Sequence, residues 1–173
     1  MARFTVVLDA CVLYPAPLRD LLVELAMAHL FRAKWTERIH DEWIASLLEK
    51  RTDIPAAKLQ RTRDLMNAAV EDCLVVGYEH LIETIELPDA NDRHVVAAAM
   101  KARADAIVTS NLKHFPAEYL AKHDIEAIHP DDFMTYQIDL SGPAVVIAAQ
   151  KCRRRLKAPP LSPETYLDKL EAA

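Results

Sequence analysis

Short continuous apolar runs alternate along this chain with longer stretches of helical spacing. Phe4-Thr5-Val6-Val7-Leu8 is nearly unbroken in apolar and β-branched side chains and stops at Asp9. Such a run suits a strand covered on both faces of a parallel sheet. Residues 106–108 repeat the design and run into Thr109-Ser110-Asn111. Residues 73–76 and 125–128 read as further buried strands, and 33–36 as a brief one.

Between these runs the apolar positions recur at helical spacing. Residues 18–31 form one such helix, opened by Pro17 in its first turn. Thr36 is placed to cap the next, whose buried stripe is Ile39, Trp43, Ile44, Leu47 and Leu48. Glu42 lies beside that stripe. Asp53-Ile54-Pro55 starts a third helix, with Leu59, Leu65, Met66 and Val70 on one side. Residues 78–86 carry little more than one helical turn. Asp89 is a helix cap, Asp92 stands where a capping-box acid goes, and Val95-Val96-Ala97-Ala98-Ala99 follows. Pro116 and Pro130 open two more helices. After Ser141 the pattern changes, with a helix over 144–156 and a last one from Ser162-Pro163, with Leu167 and Leu170 on one face. Alternating strands and helices predict an α/β fold with a parallel sheet between helical layers. The domain reading is a core over 1–137 and a helical extension over 138–173.

Composition narrows the chemistry. Hydrophobic residues make up 51% of the 173, enough for a core. Two glycines leave little room for a phosphate-binding glycine loop. The net charge of −5 removes the basic signature of a generic nucleic-acid binder. It leaves room for a nuclease whose carboxylates gather a metal. The three cysteines, widely spaced, form neither a zinc pattern nor a disulfide framework, and predict a reduced, cytoplasmic protein. The apolar run after Arg3 is too short for a signal peptide, and no segment nears the length of a membrane span.

In a parallel sheet the strand C-terminal ends share one edge, where ligands bind. Asp9 and Thr109-Ser110-Asn111 belong to that edge. Helices that precede or follow such strands bring Asp92 and Glu42 toward it. Asp9, Glu42, Asp92 and Asn111 are therefore expected to converge. Three carboxylates in one pocket repel one another, and a hard divalent cation relieves them. Oxygen ligands suit Mg²⁺ or Mn²⁺. The chemistry implied is phosphodiester hydrolysis by an activated water.

The run Val7-Leu8-Asp9-Ala10-Cys11, the Glu42-Trp43 pair, Leu87-Pro88-Asp89 through Asp92-Arg93-His94, and Val108-Thr109-Ser110-Asn111 resemble the PIN-domain family. That family includes the VapC-like toxins of toxin–antitoxin pairs. The resemblance covers roughly residues 3–133. It implies a three-layer α/β/α sandwich with a five-stranded parallel sheet and an Mg²⁺- or Mn²⁺-dependent ribonuclease. It makes Asp9, Glu42 and Asp92 the catalytic acids and metal ligands. Asn111 stands where the family often has a fourth acid. Asn keeps an acceptor oxygen but removes a charge. RNA substrate, an antitoxin partner and a homodimer are implied in the same way. Thr109, Ser110, Arg93 and Lys113 are the candidate substrate contacts, with His114 beside them. Arg153-Arg154-Arg155 is the densest basic run and is open to three roles: RNA, an acidic partner or a helix C-terminus. A non-cutting RNA- or protein-binding module is the alternative that Asn111 keeps open. An Asp-nucleophile phosphatase is disfavoured because Cys11, not a second Asp, stands two residues after Asp9.

Overall fold

The structure is a computed structural model and describes residues 3–173. Strand β1 (Thr5–Leu8) is buried along its whole length. Parallel neighbours flank it: β2 (Arg32–Lys34) on one side and β3 (Ala106–Val108) on the other, with β4 (Glu126–Ile128) beyond β3. The order β2-β1-β3-β4 makes the β1–β3 boundary the place where the chain switches direction across the sheet. A crevice forms at such a point, outside the strand C-terminal ends.

The helices complete a three-layer α/β/α fold. Helix α1 (Ala10–Leu13) leaves β1 at once, capped by Asp9, and α2 (Ala16–Met27) follows. Helix α3 (Glu37–Lys50) begins at Thr36, whose hydroxyl accepts from Ile39 N at 3.0 Å. Its buried face is Ile39, His40, Trp43, Ile44 and Leu47. Behind it, Trp43 Nε1 donates to His40 Nδ1 at 2.9 Å, so the His40 Nε2 proton points at Asn67 Oδ1, 2.9 Å away. Trp35 Nε1 donates to the same oxygen at 2.8 Å. This chain of satisfied polar groups fixes the angle at which α3 crosses α4 (Ala56–Ala69). Helix α5 (Arg93–Ala102) packs on β1 and β3; Val95 through Ala99 are fully buried, and such small side chains permit close approach to a sheet.

Among the described residues the sheet has four strands, not five. Residues 73–76 make a single bridge, with Trp35 N donating to Cys73 O and Val75 N to Trp35 O, each at 2.9 Å. Cys73 and Val75 face the core, but Leu74 and Val76 are exposed, at 38% and 70%. A segment covered on one face gains too little burial to extend the ladder, and Gly77, at φ +71°, turns the chain away. Two further expectations shift. Leu65 of α4 is exposed, leaving Leu59, Met66 and Val70 as the buried side. Residues 18–31 are helical through Met27, after which the chain turns into β2.

After α6 (Ala117–Ala121) and β4, helix α7 (Pro130–Arg155) runs across the position expected to divide the chain, with a break at Ser141 (φ −160°, ψ 79°). It lies along α2. Phe133 meets Phe31 edge-to-face at 4.9 Å. Further along, the buried Glu24 of α2 receives Arg155 at 2.6 Å and Lys151 at 3.3 Å. Arg153 donates to Leu161 O at 2.9 Å, and Arg154 is exposed. Two of the three arginines of the basic run thus hold the C-terminal helices in place. The last helix, α8 (Pro163–Glu171), is capped by Ser162 and buries Tyr166, while Leu167 is exposed. No helix among the described residues is long and apolar enough to cross a membrane.

Candidate active site

The strand ends and α3 face each other across a cleft of about 450 Å³. Asp9, Glu42, Asp92 and Asn111 all line it, together with Cys11, Tyr14, Ser46, Lys50 and Asn91. Each acid arrives by a different route. Asp9 is the first residue after β1, and its backbone N–H still bonds Val108 O of β3 at 3.1 Å. Glu42 comes from the second turn of α3. Asp92 ends the short turn that precedes α5. Asn111 follows β3.

Asp9 is 5% exposed and tightly held. Ala10 N donates to Oδ1 at 2.8 Å. Thr109 Oγ1 donates to Oδ2 at 2.8 Å, and Cys11 Sγ lies 3.5 Å from the same oxygen. Burial pushes the Asp9 carboxyl above its ordinary value, these three donors pull it back, and the Glu42 charge adds to the rise. The Asp92 carboxyl is raised for similar reasons: burial first, then the charges of Asp9 and Asp89, with His114 opposing. Asp9 thus feels the charge of Glu42, and Asp92 that of Asp9, across one cleft.

Glu42 is half-exposed. Its Oε1 lies 2.6 Å from Nε2 of the buried His94 and 3.8 Å from Arg38 Nε. The His94 contact is close but not aligned as a hydrogen bond, and neither ring nitrogen has another partner. Asp92 does not close a capping box. Its side chain instead meets His114 Nδ1 at 2.9 Å, while Asp89 caps the turn through Asn91 N at 2.9 Å. Among the described residues, the acids and histidines whose donor atoms all lie within 4.8 Å of one another are Asp89, Asp92 and His114. Asp92 thus belongs both to this trio and to the cleft wall.

The expected substrate contacts are placed differently. Thr109 is fully buried, and its hydroxyl also accepts from Asn111 N at 3.1 Å. A buried hydroxyl committed to Asp9 and to the Asn111 backbone orients the acid. Ser110 faces a second hollow. Arg93 is half-buried and Lys113 exposed, and neither lines the cleft. Lys50 is the cation that does, among the described residues. Its ammonium sits 5.2 Å from the centre of the Tyr14 ring, a cation–π distance. The sequence carried a signal for it: Arg38, Glu42, Ser46 and Lys50 recur every four residues and so share one face of α3.

A PIN-domain family model matches residues 5–113, just under two-thirds of the chain, and includes Asp9, Glu42, Asp92 and Asn111. The chain belongs to the PIN-domain family. A second model, the VapC50 C-terminal domain, matches residues 130–173, which are α7, α8 and the segment between them. The chain is also 43% identical over 94 residues to "Putative ribonuclease VapC50" of Mycobacterium tuberculosis. The alignment covers 54% of this chain and 55% of that protein, so the likeness spans about half of each. In this PIN domain the donor set is carboxylate oxygens with one amide oxygen. Oxygen donors of this kind fit a hard divalent cation, although the donor atoms of Asp9, Glu42 and Asp92 do not all lie within 4.8 Å of one another in this structure.

Proposed function

We propose that this PIN domain is a divalent-metal-dependent endoribonuclease, with Asp9, Glu42 and Asp92 as its catalytic acids. The observation that carries the reading is the shared cleft: three acids distant in sequence line one space, where burial and a neighbouring acid raise the carboxyls of Asp9 and Asp92. Asp9, Glu42 and Asp92 would hold Mg²⁺ or Mn²⁺, with the Asn111 amide oxygen as a further acceptor. Such an ion supplies Lewis acidity to a phosphoryl oxygen and makes a nearby water more acidic.

The protein's own groups divide the remaining work. Thr109, Ala10 N and Cys11 fix Asp9 so that it needs no reordering when substrate arrives. Glu42, half-exposed on α3, has its Oε1 against His94 and its other oxygen left to face the cation and its water. Lys50 meets a phosphate beside the scissile one, with Tyr14 holding its ammonium at the rim. The substrate is single-stranded RNA, whose flexible backbone can enter a cleft between sheet edge and helix.

The VapC likeness extends the proposal to a toxin acting in the cytoplasm, neutralised by an antitoxin protein, and assembling as a homodimer. The test of the chemistry is RNA cleavage by the full chain with Mn²⁺. Wild type cuts; Asp9→Asn lowers the rate by about a thousandfold with an unchanged circular-dichroism spectrum. Equal cleavage by both removes Asp9 from the mechanism. A second reading, RNA binding without cleavage, is favoured by one residue, Asn111 in place of an acid. It predicts RNA binding by wild type with no Mn²⁺-dependent cutting.

A further inference from the structure

Beside the catalytic cleft lies a second hollow of about 440 Å³, built at the same rim of the sheet. Ser110, from the end of β3, separates the two: its neighbours Thr109 and Asn111 belong to the acid site, and its N–H donates to Cys11 Sγ at 3.4 Å. His129 and Pro130, at the exit of β4, form another side. Leu18 and Leu21 of α2, Met134 of α7 and Leu170 of α8 supply apolar walls, with Asp131 and Glu171 at the polar edge. The hollow exists because the C-terminal helices pack back over α2 and return the end of α8 to the sheet.

The size and lining restrict what fits. The volume is within the roughly 300–1,000 Å³ of ordinary small-molecule sites. Among the described residues no lysine or arginine lines it, and two carboxylates do. A phosphate is repelled there. A flat neutral ring with N–H donors on its edge is not: its faces suit leucine and methionine, and its donors suit carboxylates. Unpaired RNA bases are recognised in this manner, splayed from the backbone and hydrogen-bonded on their edges. Guanine offers the richest donor edge, an N1–H beside an exocyclic amine.

We infer that this hollow is a base-recognition subsite, contributed by the C-terminal helices, that takes an unpaired guanine next to the scissile phosphate. The inference rests on the nuclease reading of the neighbouring cleft and deepens it into a sequence preference. The phosphodiester backbone then lies across Ser110, with its phosphate on the acid side and its base on the apolar side.

The direct test is binding to the full chain without metal, read on the Met134 methyl resonance. Guanosine 5′-monophosphate is titrated against the other three nucleoside monophosphates, with ribose 5-phosphate as the phosphate-only control. The expected result is a saturable Met134 shift with guanosine monophosphate, about tenfold tighter than with uridine monophosphate. Ribose 5-phosphate leaves the methyl unmoved. Glu171→Ala, an exposed change that leaves the core alone, weakens the guanosine nucleotide several-fold. Leu170→Trp, which leaves the reporter methyl in place, fills the hollow and abolishes the shift. An unmoved methyl, or equal shifts from the guanosine nucleotide and ribose 5-phosphate, overturns the subsite. Because this readout needs no cleavage, it fails or succeeds separately from the Asp9→Asn test. Where RNA is cut, the wild-type cut sites show guanine enriched at one flanking position, and Glu171→Ala flattens that preference.

Discussion

The two walls of the acidic cleft are built on opposite plans. On the sheet side, Asp9 is buried and receives three donors, and the Thr109 hydroxyl that holds it is itself fully buried. On the α3 side, Arg38, Glu42, Ser46 and Lys50 present a row of partly or wholly exposed side chains on one helical face. The difference assigns the walls different work. In the proposed nuclease a buried, over-determined carboxylate would give a fixed point for a cation at the cost of a raised proton affinity. Side chains that keep rotamer freedom can follow a substrate that enters and leaves. The rigidity of α3 as a body comes from its other face, through Trp43, His40, Asn67 and Trp35.

If the sheet wall is the fixed one, loosening it should cost most. Thr109→Val keeps the shape and removes the hydroxyl that donates to Asp9. It is expected to slow RNA cleavage by about 10- to 100-fold, the usual cost of losing a group that orients a ligand. Thermal unfolding should report a loss of only about 1 kcal/mol. A cleavage rate unchanged by this substitution would make the two walls equivalent.

On the α3 wall the expected effect is smaller and of another kind. Lys50→Ala should weaken RNA binding several-fold, uniformly across sequences. The slope of log affinity against log salt should fall by about one, as for one lost phosphate contact. A rate defect without a change in the salt slope would place Lys50 away from the phosphates.

The smallest effect concerns stability. The Asp9 and Asp92 carboxyls are raised above their ordinary 3.8 by burial. Between that value and the raised one, the native state binds more protons than the unfolded state. Metal-free stability therefore falls as pH rises through this window and recovers as pH is lowered. Asp9→Asn removes the group that titrates most deeply in the wall. It should raise the melting temperature of the metal-free protein at neutral pH and flatten the acid limb of the profile. Calorimetric scans across the carboxylate range check both.

The legibility of the two walls differs for physical reasons. Strand ends announce themselves, because an apolar run that stops at Asp9 or at Thr109-Ser110-Asn111 marks both a strand and its functional edge. Thr36 as a cap and α5 as a closely packed helix were legible for similar local reasons. The 73–76 segment reads as a buried strand because Cys73-Leu74-Val75-Val76 is uniformly apolar. Its exposure depends on the absence of a neighbour, which no local pattern records. Lys50 was hidden by its ordinariness: a lysine in the last turn of a helix is favoured there without any ligand. The role of Thr109 was hidden in the same way, since its commitment to Asp9 exists only once β1 and β3 are paired. The closing of the second hollow by α8 required knowing where α7 breaks, at Ser141, and that Arg155 docks on Glu24.

The central claim is that the fold gathers Asp9, Glu42 and Asp92 to hold one hard cation. Calorimetric titration of Mn²⁺ into the full chain, beside Asp9→Asn, tests it most directly. The account predicts saturable binding to wild type, a matching rise in melting temperature, and loss of both in Asp9→Asn. Binding of equal strength to the two proteins would contradict it.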